Sequence, residues 1–152
     1  MRVTTWAEYG LIVSVHLARR SGDAPVPARE LAAREHLPAD YVEQILLRLR
    51  RAQVVKSVRG AKGGYLLAQP ASALTAKDVI EGAEEHTFEV QCDVRPINQE
   101  RCEPNGTCAI RPLWRALQGR IDDFLGSVTL ADLAAEESRV AELVSISGAR
   151  SD

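Results

Sequence analysis

Apolar residues Trp6, Tyr9, Ile12, Val13 and Leu17 recur at intervals of three and four, which places them on one side of a helix running to about Arg20. Ser21-Gly22-Asp23-Ala24-Pro25 stops it. A short second helix fits Ala28 to Glu35, with Leu31 and Ala32 turned inward and Pro27 at its entrance. After the turn His36-Leu37-Pro38, a third helix spans about Ala39 to Ala52. In it Tyr41 or Val42, Ile45, Leu46 and Leu49 face the core, while Gln44, Arg48, Arg50 and Arg51 can project outward. Val54-Val55-Lys56-Ser57-Val58 and Tyr65-Leu66-Leu67-Ala68 then read as two short strands around a turn rich in glycine, Gly60, Gly63 and Gly64.

Beyond Pro70 the pattern changes. Thr75 and Asp78 have the spacing of an N-cap and its reciprocal acid, which predicts a short helix through Ala83. From Glu89 to Cys108 periodicity is lost and Pro96, Asn98, Pro104, Asn105 and Gly106 accumulate, predicting a loop of about 20 residues, a length usually disordered or functional. A last long helix from about Ile110 to Leu125 carries Leu113, Trp114, Leu117, Ile121, Phe124 and Leu125 as one apolar stripe. The fold class expected is mainly α with a small β-hairpin wing: a winged helix-turn-helix followed by a long C-terminal dimerisation helix. The organisation divides into a DNA-binding region (1–70), a connecting helix (71–88), a cysteine-bearing cluster loop (89–109), the dimerisation helix (110–126) and a C-terminal segment (127–152).

Charge sharpens this outline. The chain has a net charge of -2, yet residues 1–65 hold 11 basic and 6 acidic side chains, giving +5, while the remainder is -7. A basic first half suits a polyanionic partner. Helix-turn-helix plus wing supplies the geometry for one, since the second helix of the motif can enter the major groove while the hairpin reaches the neighbouring backbone. Gln44 and Arg48 are candidates for base edges, and Arg50, Arg51, Lys56, Arg59 and Lys62 for phosphates. Gly60 suits close backbone approach, and Tyr41 completes the candidate DNA-binding set.

The three cysteines, Cys92, Cys102 and Cys108, all fall in the predicted long loop, with gaps of 9 and 5 residues. An odd number cannot be fully paired within the chain, and reduced thiols favour metal or redox chemistry. Thiolates suit iron-sulfur clusters and zinc alike, but the spacing lacks the paired C-x2-C knuckles of structural zinc. Three cysteines leave a cluster one ligand short, to be completed by another side chain, an external molecule or a second subunit. No nucleophile, base and orienting acid recur at motif spacing, so an enzyme is not expected. With no apolar run of about 18 residues and no secretory leader pattern, a cytoplasmic protein without membrane contact is expected.

Taken in order, Met1-Arg2-Val3-Thr4, Tyr41-Val42-Glu43-Gln44-Ile45-Leu46, Arg48-Leu49-Arg50, Ser57-Val58-Arg59-Gly60, Gly63-Gly64-Tyr65-Leu66-Leu67 and Pro112-Leu113-Trp114 make the chain resemble the Rrf2 family of winged-helix regulators. The resemblance covers nearly the whole chain and extends to iron-sulfur members of the IscR and NsrR types. It implies a homodimer with crossed C-terminal helices that reads a partly palindromic operator in double-stranded DNA. It further implies a repressor sensing redox state, nitric oxide or iron-sulfur status through a 2Fe-2S or 4Fe-4S cluster on Cys92, Cys102 and Cys108. In IscR-type members a histidine three residues after the last cysteine completes the site; here that position is Arg111, a permanent cation that cannot ligate. In other members an N-terminal acid of the partner subunit ligates, and the matching residue is Glu8, with His16, His36 and His86 as fallback ligands. The first cysteine gap is longer than usual for the family, and Pro38 and Asp40 replace serines common in the IscR type. The competing expectation is a cluster-free regulator working through cysteine oxidation or a partner protein.

Overall fold

The computed structural model describes residues 3–20, 24–84, 98, 102 and 108–135. Helix α1 spans Thr5–Arg19, α2 Ala28–Arg34 and α3 Ala39–Arg51, followed by strands β1 (Val55–Val58) and β2 (Gly64–Leu67). Helix α4 covers Ala76–Glu84, α5 Arg111–Ser127 and α6 Leu130–Ala134. This is the expected winged helix-turn-helix with a long helix after it.

The core forms where the apolar faces of these helices meet. Val42, Ile45, Leu46 and Leu49 of α3 are wholly buried against Leu31 of α2, Val13 of α1 and Val79 of α4. Val42, not Tyr41, is the inward residue at the start of α3; Tyr41 stays 42% exposed. The buried side of α1 is Ala7, Gly10, Val13, Ser14 and Leu17, so Ile12, expected on that side, is 38% exposed. Small residues occupy this face because α4 packs closely on it: a Cβ at Gly10 would sit 3.2 Å from the Cβ of Ala83.

Helices α2 and α3 both end in a Schellman closure. Leu37 N–H donates to Ala32 O (2.9 Å) and Val54 N–H to Leu49 O (2.9 Å). The residues that turn the chain are His36 (φ 54°) and Gln53 (φ 60°), side-chain-bearing residues in a region that favours glycine. His36 thus makes the tight turn of the helix-turn-helix.

Strands β1 and β2 pair antiparallel, Val55 opposite Leu67 and Val58 opposite Gly64. A third segment, which the sequence pattern does not mark, joins them: Val26 exchanges two backbone hydrogen bonds with Tyr65 (3.0 and 2.9 Å), tying the approach to α2 to the wing. Helix α4 begins as expected, with Asp78 N–H donating to Thr75 Oγ1 (3.2 Å) and Thr75 N–H to Asp78 Oδ2 (2.8 Å).

After α5 the chain returns to this core. Thr129 and Asp132 repeat the capping box at α6, and Leu130 is fully buried in the cluster that holds Val13 and Leu17. Backbone bonds from Ala76 N–H to Val128 O and from Leu130 N–H to Leu74 O, both 2.8 Å, stitch that return to the start of α4. Helix α5 differs from the others in burying no residue.

Candidate nucleic-acid interface and thiol site

The basic candidates lie on two neighbouring elements. Gln44, Arg48, Arg50 and Arg51 are exposed on α3, and Lys56, Arg59, Gly60 and Lys62 are exposed along the wing. Gly60, at φ 117°, turns the hairpin tip, where Gly63 N–H donates to Gly60 O (2.9 Å). That leaves a row of unpaired wing cations among the described residues, beside a helix whose buried face fixes it to the core. Exposed cations in such an array contribute salt-dependent attraction to phosphates.

The structure gives Arg48 and Tyr41 other partners. The Arg48 guanidinium lies 4.2 Å from the centroid of the Trp6 ring, and its Nη1 donates to Ala83 O at the end of α4 (2.8 Å). Tyr41 packs its ring against Trp6 (centroids 5.2 Å) and Tyr9 (6.0 Å). A charged donor on a carbonyl is worth about 1.5–3 kcal/mol, and an exposed cation–π contact about 0.5–1 kcal/mol more. Arg48 is exposed, as its spacing in the sequence places it, and also has two partners remote in the chain, Trp6 and Ala83.

The thiol residues are described in part. Cys92 and His86 lie outside the described residues. Cys102 and Cys108 are free, half-buried thiols close before α5. Cys102 stands in a helical turn, where its N–H donates to Asn98 O (2.9 Å), in a stretch expected to be loop. Arg111, in place of a ligating histidine, donates from its guanidinium to Cys102 O and so ties the first turn of α5 to the thiol segment.

Glu8 is exposed in the first turn of α1 and has no side-chain partner among the described residues. Of the fallback histidines that the structure describes, only His16 has a side-chain partner. His16 Nδ1 lies 2.5 Å from Glu35 Oε1, linking α1 to the end of α2, and His36 is the exposed turn residue. Among the described residues no three of His, Cys, Asp or Glu gather as a metal-holding group. Half-buried thiols are soft donors and the Glu8 carboxylate a hard one, and by chemistry alone both can bind iron. Among the described residues no helix is long and apolar enough to cross a membrane.

Fold and cationic surface together define a winged helix-turn-helix regulator. A family model described as Rrf2, iron-dependent transcriptional regulator, matches residues 3–136. The transcriptional regulator IscR of Yersinia pseudotuberculosis (strain IP 31758) is 37% identical over 133 residues, covering 88% of this chain and 79% of that protein. IscR of Sodalis glossinidius is 35% identical over 137 residues, covering 90% and 81%. Among solved structures, CymR, the global cysteine regulator of B. subtilis, is similar with a TM-score of 0.70 and 33% identity, covering 88% of this chain and 96% of that one. T. potens IscR is similar with a TM-score of 0.67 and 32% identity, covering 91% and 90%. The chain belongs to the Rrf2 family of transcriptional regulators, a DNA-binding and non-enzymatic class.

Proposed function

We propose that this protein is a cytoplasmic homodimeric repressor that binds a partly palindromic duplex operator and reports redox, nitric oxide or iron-sulfur status through a 2Fe-2S or 4Fe-4S cluster. Residues 1–70 would read DNA, 71–88 connect, 89–109 hold the cluster, and 110–126 dimerise, with 127–152 as the C-terminal segment. The observation that carries the reading is the pair of free thiols, Cys102 and Cys108, set just before a helix whose apolar stripe is left unburied.

Cys92, Cys102 and Cys108 would hold the cluster, with Glu8 of the partner subunit as a weak and displaceable fourth ligand. A bound cluster supplies electron transfer and reactivity toward oxidants and nitric oxide. The chain's own residues do the rest. Gln44 faces base edges, while Arg50, Arg51, Lys56, Arg59 and Lys62 neutralise phosphates and Gly60 lets the wing backbone approach. Arg111 holds the Cys102 backbone at the head of α5, so a change at the thiols is passed to the helix that sets the separation of the two DNA-binding heads.

The test is anaerobic purification with iron and acid-labile sulfide analysis, followed by duplex binding before and after chelation, repeated on Glu8→Ala. Iron and sulfide together with a change in DNA affinity on chelation support the reading. Wild-type protein without either element overturns it, and an unaltered cluster in Glu8→Ala overturns the fourth ligand. A second reading is favoured by the similarity to CymR, of which one solved structure is the oxidised form of the Staphylococcus aureus protein, at 31% identity and a TM-score of 0.66. In that reading two of the cysteines oxidise directly, and DNA affinity follows thiol state in iron-free protein.

A further inference from the structure

We infer that Arg48, in concert with Tyr41, positions the recognition helix α3 rather than contacting DNA. The inference deepens the proposed DNA-reading role of α3 and rests on it. Tyr41 and Arg48 are seven residues apart, two turns along one row of the helix. Both close on the same ring: the Tyr41 ring lies 5.2 Å from Trp6 by centroids, and the Arg48 guanidinium carbon 4.2 Å from the Trp6 centroid. Two attachments two turns apart add to the hold of the buried face, Val42, Ile45, Leu46 and Leu49, on the rotation of α3 and on its slide along α1.

Gln44 falls between them on that row, three residues after Tyr41 and four before Arg48, and is itself exposed. The grip on Trp6 therefore aims the one uncharged polar candidate for base reading.

The anchor is itself secured at its far side. Arg48 Nη1 donates to Ala83 O in the last described turn of α4, so Arg48 ties α3 to α4 as well as to Trp6. The next residue, Glu84, accepts from Ala7 N–H (3.0 Å) and caps the positive end of α1, whose second residue is Trp6. Helices α1, α3 and α4 thus close a ring of contacts: Trp6 to Arg48, Arg48 to Ala83 O, and Glu84 to Ala7 N–H. Arg48 joins two sides of that ring.

The chemistry separates positioning from DNA contact, because lysine retains a charge that a phosphate can use but lacks the flat guanidinium that both stacks and donates in plane. The experiment compares wild type, Arg48→Lys and Arg48→Gln on a duplex enriched by the wild-type protein from a random-sequence pool. Kd is measured across a salt series, far below the unfolding midpoint of each protein. Both variants are expected to bind about tenfold more weakly, with the log–log salt slope unchanged. Amide exchange should quicken across α3 and the last turn of α4 in both.

If Arg48→Lys binds as wild type does while Arg48→Gln loses affinity and about 0.9 of salt slope, Arg48 is a phosphate contact and the inference is overturned. Relaxed preference at a single base pair, found on reselection with the variants, overturns it in favour of base reading. Affinity and exchange both unchanged also overturn it. Should Arg48→Gln not fold, Trp6→Leu, which removes the ring and keeps the charge, replaces it with the same expectations. If the wild type enriches no duplex, the proposed function fails, and amide exchange alone then decides: faster exchange upholds the anchoring role and unchanged exchange ends it.

Discussion

Gly82 of α4 approaches Ala52, the residue that closes α3, so nearly that a Cβ added to Gly82 would lie 2.9 Å from the Ala52 Cβ, with Leu49 Cδ2 at 3.4 Å and Val54 Cγ2 at 3.5 Å behind it. The contact presses the end of the recognition helix onto the helix that precedes the cysteine segment. Ala52 Cβ stands directly on the backbone and cannot swing aside. Gly82→Val should therefore push α4 off α3 and destabilise the fold by about 1–3 kcal/mol, the usual cost of overpacking. Chemical denaturation checks this through a lower midpoint at unchanged slope.

Both helices of the DNA-reading motif end on residues held in a left-handed turn, His36 and Gln53. Neither turn needs the side chain for its closing hydrogen bonds, which run between backbone groups. Replacing either by glycine should raise stability by about 0.5–1 kcal/mol, since the steric cost of the conformation exceeds the extra chain entropy that glycine gives up on folding. A thermal scan showing a higher Tm for Gln53→Gly, with secondary structure unchanged, is the expected result; a lower one would mean the turn is held by its side chain.

The parts of this architecture that are legible in the sequence are those with local causes. The capping pair Thr75 and Asp78, the turn at His36-Leu37-Pro38 and the buried run Val42, Ile45, Leu46, Leu49 each depend on neighbours a few residues away. Thr129 and Asp132 carry the same capping signature, so α6 is marked in the sequence by the same signal. The buried face of α1 is harder to read because its large apolar residues dominate the periodicity, whereas Ala7, Gly10 and Ser14 are buried by the close packing of α4. Nothing local marks Ala83 O as the partner of Arg48, or Val26 as the partner of Tyr65; those pairs exist through the tertiary fold alone.

On the wing, Arg59 and Lys62 are exposed without an ion-pair partner among the described residues. If they face phosphates, each replacement by glutamine should weaken binding evenly across sequences and flatten the log–log salt dependence by about 0.9 for each phosphate left unneutralised. The double variant should flatten it by about twice that. Competition between an enriched duplex and random DNA at several salt concentrations separates this from a loss of specificity, in which the two duplexes would diverge.

Helix α5 is about 25 Å long at the usual rise, and it leaves Leu113 60% and Phe124 37% exposed, with Trp114, Leu117, Ile121 and Leu125 half-buried. An apolar stripe of that length is rarely left to water, and the crossing of two such helices supplies a self-complementary cover. An ion pair also links α5 to α4: Lys77 Nζ lies 3.7 Å from Asp122 Oδ2, both side chains half-buried, at a distance where such a pair contributes about 1 kcal/mol. In the proposed homodimer, burial against a second copy would add to what holds α5 in place. Leu113→Glu should convert a dimer into a monomer in sedimentation velocity and remove the dependence of Tm on protein concentration that a dimer shows. Arg115→Glu, which changes the charge off the stripe, should leave the dimer intact. A dimer that survives Leu113→Glu unchanged would place the subunit contact elsewhere and leave the apolar face of α5 without its proposed cover.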